Sequence, residues 1–449
     1  MSTLLVARGL VVDEHTLAPR DILVDDGRID AVVTPGTAPP ADDVLDATGL
    51  HVLPGVVDAH VHFNEPGRTD WEGFHTGTTA AAAGGVTTVC DMPLNSHPPT
   101  LDARALAIKQ SAVQRSALVD YALWGGVVPG SIHHLADLQR SGVIGVKGFM
   151  CDSGLAEYPP LDEFSLLETM QLCADLGLLL ALHAEDATAT GRGADLMRAA
   201  GRRAAVDWAL SRPGDTEVKA VERALDGVAA TGARVHFVHI STASAARAIA
   251  NARASGADVT CETCPHYLVL DQSDLERLGG FGKCAPPLRP REVVEDLWGA
   301  LLDGSIDLIA SDHSPCPPDM KHTPDIWSAW GGLAGVQTML PVLLDEAVHV
   351  RGVPLRALVR LLCAAPARRL GLFPRKGSLQ PGADADFTLV DLDRTWTVDE
   401  RDLRTRWPLN PFTGRALHGA VVATVVRGTV VSREGRSLVA CGYGLRVCP

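Results

Sequence analysis

GVVDAHVHF, residues 55–63, is an apolar run that ends on two histidines, His60 and His62. Side chains alternate along an extended strand, so positions i and i+2 share a side and two imidazoles at that spacing point at one object. Such a strand end either holds a metal or carries histidines that are solvated or bonded to backbone. Seven further runs share its texture: GVTTVCDMP (85–93), DYALWGGVV (120–128), GVIGVKGFM (142–150), LLLALHAED (178–186), RVHFVHIS (234–241), DVTCETCP (258–265) and IDLIASDHS (306–314). Each is apolar enough to be buried on both faces, and Ala-, Leu- and charge-rich helical stretches separate most of them. Alternating strands and helices imply a parallel sheet, and eight units over about 300 residues predict a closed (β/α)8 barrel. No glycine-rich phosphate turn follows any run, which argues against a doubly wound open sheet.

The chain ends read differently. DILVDDGRIDAVV (21–33) holds two β-rich runs joined by Asp26-Gly27, a hairpin signal. Similar texture returns in GSLQPGADADFTLVDLD (377–393) and GAVVATVVRGTVVSREGR (419–436). The expected α/β organisation is a catalytic barrel over residues 54–369 and a small β-sandwich domain built from residues 1–53 and 370–449. A chain of 449 residues is long for a single core, which suits this division.

Composition narrows the function. The formal net charge of −14 argues against a nucleic-acid partner, which needs concentrated Lys and Arg. No apolar run approaches the roughly 18 residues of a membrane span. The opening MSTLLVARGLVVDEH lacks a basic leader and is interrupted by Arg8, so no secretory signal is expected. Ten cysteines without a disulfide rhythm suit a reducing cytoplasm.

On the predicted barrel, His60 and His62 end the first strand, Lys147 the fourth, His183 the fifth, His239 the sixth and Asp312 the eighth. Barrel active sites lie at these C-terminal strand ends, so the six side chains converge on one mouth. As core residues each would need its own buried partner, whereas nitrogen and carboxylate ligands suit zinc and its first-row neighbours. Six candidates exceed one tetrahedral site and leave room for two ions. Lys147 is the odd member, because an ammonium offers no lone pair. It can act as a neutral amine, or as a carbamate formed with carbon dioxide.

These residues resemble the amidohydrolase superfamily, in the cyclic branch of dihydroorotases, hydantoinases and allantoinases, with the allantoinases the nearest likeness. The likeness runs through HVHFNEPGRTDWEGFHTGT, DMPLNS, CETCPHYLVLD, KCAPPLR, IASDHSPCPPDMK and AWGGLAGVQTMLP, between residues 60 and 341. It implies a binuclear centre held by His60, His62, carboxylated Lys147, His183, His239 and Asp312, with zinc, iron, cobalt or manganese as the metal. It also implies that Asp312 moves the catalytic proton, that the substrate is a small cyclic amide, and that the chain forms a homo-oligomer, commonly a tetramer. Occupation of all six positions argues against a non-enzymatic scaffold related to dihydropyrimidinase.

Asn64 stands where the resemblance to dihydroorotases would place an arginine gripping a substrate carboxylate, and an uncharged amide cannot replace that clamp. The neighbouring EPGR and WEGF fit hydantoinases poorly. What remains is a neutral ring with a ureido arm, which describes allantoin; opening its ring amide gives allantoate. Hydantoinase or dihydropyrimidinase activity is the alternative. Asn95 and Ser314 adjoin the mouth as candidate substrate contacts, and likeness to hydantoinases adds the backbone near Ala285 and Gly331. His266 and His313 are either ligand-orienting or structural. Cys261 and Cys264 point to opposite faces of their strand and read as core.

Overall fold

The computed structural model describes residues 3–449. The eight runs become the strands Val56–Val61, Val86–Asp91, Asp120–Leu123 continued by Gly125–Gly126, Val146–Phe149, Leu180–His183, Val235–Phe237, Val259–Thr263 and Leu308–Ile309. Successive pairs are all parallel. The third strand joins two arcs, its first half pairing with the second strand and its continuation beyond Trp124 with the fourth. The ring closes where Val61 and His313 form a parallel bridge and the His62 N–H donates to the His313 carbonyl at 2.7 Å.

Helices begin just above the strand ends because the rim loops carry N-caps. Asp102, Asp162 and Asp186 each accept from the backbone N–H three residues on, at the starts of Ala103–Ser116, Glu163–Leu176 and Ala187–Ala199. Each cap satisfies a donor the helix itself leaves free. No helix among the described residues is long and apolar enough to cross a membrane.

Both chain ends contribute to one continuous nine-stranded sheet. Leu17–Asp25 and Arg28–Val33 pair antiparallel through Asp26 (φ 47°) and Gly27 (φ 75°), the two left-handed residues that a type I′ turn requires. Phe387–Thr397 bridges the termini, pairing with His51–Pro54 on one side and Ala416–Val426 on the other. Ile29 and Val425, far apart along the sheet, share one apolar cluster with Phe387, so the sheet curls around its own core. A buried ionic joint ties this sheet to the barrel: Lys376 Nζ lies 2.5 Å from Asp120, 2.6 Å from Asp386 and 3.0 Å from Asp384. Asp120 begins the third barrel strand, so the joint lies at the end opposite the strand-terminal histidines.

Candidate metal centre

All six predicted ligands are buried and line one cavity of about 640 Å³. Their ligand atoms fall into two groups. In the first, His60 Nε2 lies 3.2 Å from His62 Nε2 and 3.2 Å from Asp312 Oδ1, with His62 Nε2 3.5 Å from the same oxygen. In the second, His183 Nδ1 faces His239 Nε2 at 3.1 Å. Zinc–nitrogen bonds of about 2.0–2.1 Å put the edge of a tetrahedron at about 3.3 Å, so both groups have the spacing of donors around a shared ion. Lys147 Nζ has no hydrogen-bond partner, and its charge acts on His62 of one group and His239 of the other. It lines the same cavity as both groups. The chain fits two cations.

Burial drives the His62 and His239 imidazoles toward the neutral form, the only form with a free lone pair. At His183, burial is outweighed by Cys151 and Glu185, which hold that ring up at about 9. Burial also lowers the Lys147 amine to about 8. At Asp312, burial opposes ionisation, but His60, His62 and His239 hold the carboxyl well below its usual range.

Two carboxylates behind the site, neither foreseen from sequence, fix ring orientation. His60 Nδ1 lies 2.6 Å from Glu262 Oε1, and Glu262 Oε2 meets His236 Nε2 at 3.1 Å. His183 Nε2 lies 2.8 Å from Glu185 Oε2, which Arg212 Nη1 also contacts at 2.6 Å. Burial works against both acids, yet the imidazoles of His60 and His236 hold Glu262 at about 2, and Arg212 with His183 holds Glu185 at about 2. An imidazole that donates through one nitrogen presents the other to a metal, so His60 is aimed through Nε2 and His183 through Nδ1. Phe149 stacks on His183 with centroids 4.7 Å apart and backs Lys147.

Residues 51–431 match the amidohydrolase family. The chain belongs to the amidohydrolase family. It is 47% identical to an allantoinase of Rubrobacter xylanophilus over 96% of this chain and 95% of that one. An allantoinase of Deinococcus radiodurans is also 47% identical, over 97% and 96% of the two chains, and one of Escherichia coli 39%, over 95% and 94%. Among solved structures, the L-hydantoinase (dihydropyrimidinase) of Arthrobacter aurescens superposes with a TM-score of 0.97 at 35% identity, covering all of both chains. A dihydropyrimidinase of Brevibacillus agri gives 0.91 at 30%, over 99% of this chain and 98% of that one.

In this amidohydrolase the predicted substrate residues Asn95, Ala285, Ser314 and Gly331 all line the cavity. Asn95 Nδ2 reaches Ser314 Oγ at 3.4 Å. Asn64 does not line it: buried and left-handed (φ 65°), it donates through Nδ2 to the Pro315 carbonyl at 3.1 Å. The asparagine therefore braces the rim. His313 also stands outside the cavity, where its Nδ1 accepts from the Gly335 N–H at 3.1 Å and its backbone closes the barrel. His266 is buried beside Tyr267 and likewise does not line the cavity. Cys261 and Cys264 are both buried in the barrel core. Sequence reasoning overlooks the upper wall, where Trp208, Lys283, Trp327 and Trp330 surround the mouth.

Proposed function

We propose that this amidohydrolase opens the hydantoin ring of allantoin to give allantoate, using two divalent cations held by His60, His62, His183, His239, Asp312 and N6-carboxylated Lys147. The convergence of four imidazoles, one carboxylate and one unpartnered lysine in a single buried cavity carries this reading. Full-length similarity to allantoinases selects the ring. The hydantoinase likeness supports the same chemistry on a neighbouring substrate class.

Bound divalent cations would supply acidified water and a polarised amide carbonyl; zinc suits the donor set, and iron, cobalt or manganese are possible occupants. The remaining work falls to the chain. The unpartnered Lys147 amine attacks the carbon of carbon dioxide, releases one proton and becomes an anionic carbamate that would serve as a metal ligand. Asp312, held ionised beside His60 and His62, takes a proton from the attacking water and returns it to the ring nitrogen as the C–N bond breaks. Asn95, Ser314 and the backbone near Ala285 and Gly331 orient the ring and its ureido arm.

The ten cysteines stand free, which supports a cytoplasmic protein. Phe164 is 86% exposed and Leu167 of the same helix is also exposed, which supports burial of this face in a homo-oligomer, a tetramer by family likeness. Turnover of the metal-loaded enzyme on a substrate panel tests the assignment. Allantoin should be opened far faster than dihydroorotate, dihydrouracil and simple 5-substituted hydantoins. An enzyme that ignores allantoin while opening one of those rings is a cyclic amidohydrolase of another specificity.

A further inference from the structure

Lys283, which lines the cavity, and Lys321, which follows the cavity-lining Met320, are buried without forming an ion pair among the described residues. Lys283 Nζ donates to the carbonyls of Ile326 at 2.8 Å and Ala329 at 2.7 Å. Lys321 Nζ donates to the carbonyls of Gly332 at 2.5 Å and Lys283 at 3.3 Å. Both side chains are about nineteen-twentieths buried, and burial lowers Lys283 to about 7 and Lys321 to about 8. Backbone carbonyls are the hydrogen-bond partners of both amines, so each amine is tied to the segments that carry those carbonyls.

One of those segments lies over the mouth. Residues 320–332 bring Met320, Trp327, Trp330 and Gly331 into the cavity wall. The Gly332 N–H also donates to the Lys283 carbonyl at 2.9 Å, and Trp330 N–H to the Met320 carbonyl at 2.9 Å. Gly280 lies so close beneath that a Cβ there would sit 2.2 Å from the Lys321 carbonyl oxygen. Trp208 completes the seat: its Nε1 donates to the Cys284 carbonyl at 2.7 Å, and the Lys283 ammonium lies 4.2 Å from its ring centroid. These contacts therefore join Lys283 to residues 326–332, and both segments line the cavity.

We infer that Lys283 and Lys321 are positioning residues that lock residues 320–332 as a roof and set the spacing between the Ala285 and Gly331 backbones that meet the substrate's amide groups. This rests on the substrate-contact reading above. Hydrogen exchange and steady-state kinetics of the metal-loaded full-length Lys283→Met and Lys321→Met variants test it. Each lost charged hydrogen bond is of the size that shifts an equilibrium about tenfold, so exchange across residues 320–332 should rise about tenfold or more. Exchange in the barrel strands should stay at the wild-type rate. KM for allantoin should rise about tenfold, with kcat and metal content within about threefold of wild type. Unchanged exchange over the roof, exchange raised equally everywhere, or an unchanged KM would overturn the inference. If a methionine variant does not fold, glutamine at the same position, which keeps a neutral N–H donor on a shorter side chain, should raise roof exchange and KM by a smaller factor, and no rise in either would overturn the inference. The exchange readout needs no substrate, so a wild-type enzyme inactive on allantoin would fail the functional assignment and leave the roof separately decided.

Discussion

At the scale of single residues, Lys147 and Asp312 carry the sharpest expectations. Carbamate formation needs the neutral amine, and Lys147 is protonated below its lowered value of about 8 and neutral above it. Reconstitution of stripped enzyme with divalent metal, at fixed dissolved carbon dioxide, should therefore accelerate as pH rises through that point. A rate flat between about pH 6 and 9 would contradict the role. Lys147→Ala should lose most bound metal and turnover, with short carboxylic acids restoring part. Asp312→Asn should keep the circular-dichroism spectrum while losing about 10²- to 10⁴-fold in kcat; a near-wild-type rate with metal intact would place the base elsewhere. Backbone geometry agrees that these positions are special. Asp312 (φ 45°) and His239 (φ 41°) hold left-handed conformations that cost about 1–3 kcal/mol each in an ordinary residue. The six ligands are legible in the sequence because each is a polar break in a strand that is otherwise apolar. Glu262 and Glu185 are not. Glu262 is 202 residues from His60, and Glu185, two residues past His183, stands in an Ala-Glu-Asp stretch that gives no sign of its contact with the ring.

At the scale of elements, the eight barrel strands are readable as apolar runs spaced by helices, and the Asp26-Gly27 hairpin as a turn with one physical solution. The seat of the terminal sheet is not readable, because it depends on charges brought together from residues 120, 376, 384, 386 and 427. Arg427 pairs with the same Asp120 that Lys376 contacts. Lys376→Met would leave three buried carboxylates without their common cation. Loss of one partner from a buried ion pair costs about 3–5 kcal/mol, so denaturant midpoint and melting temperature should both fall clearly. Turnover per folded molecule should change little, because the joint lies at the barrel end away from the histidines. An unchanged midpoint would show that apolar packing alone seats the sheet.

At the scale of the whole molecule, the closed barrel turns residues scattered from position 60 to position 312 into one buried constellation. Chain ends meet in a curled sheet at the other pole, so the mouth is left to the loops that select substrate. The net charge of −14 argues against a polyanionic partner. The upper wall is the part that sequence conveys least, since Trp208, Lys283 and Trp330 reach the mouth from three separate segments. The central claim is that six residues hold two cations for the opening of a cyclic amide. Metal analysis of the purified protein, dialysed and assayed in the same preparation, tests it most directly. Two equivalents of divalent metal per chain should accompany full allantoin turnover, with both falling together on chelation; full turnover with one equivalent or none would contradict the account.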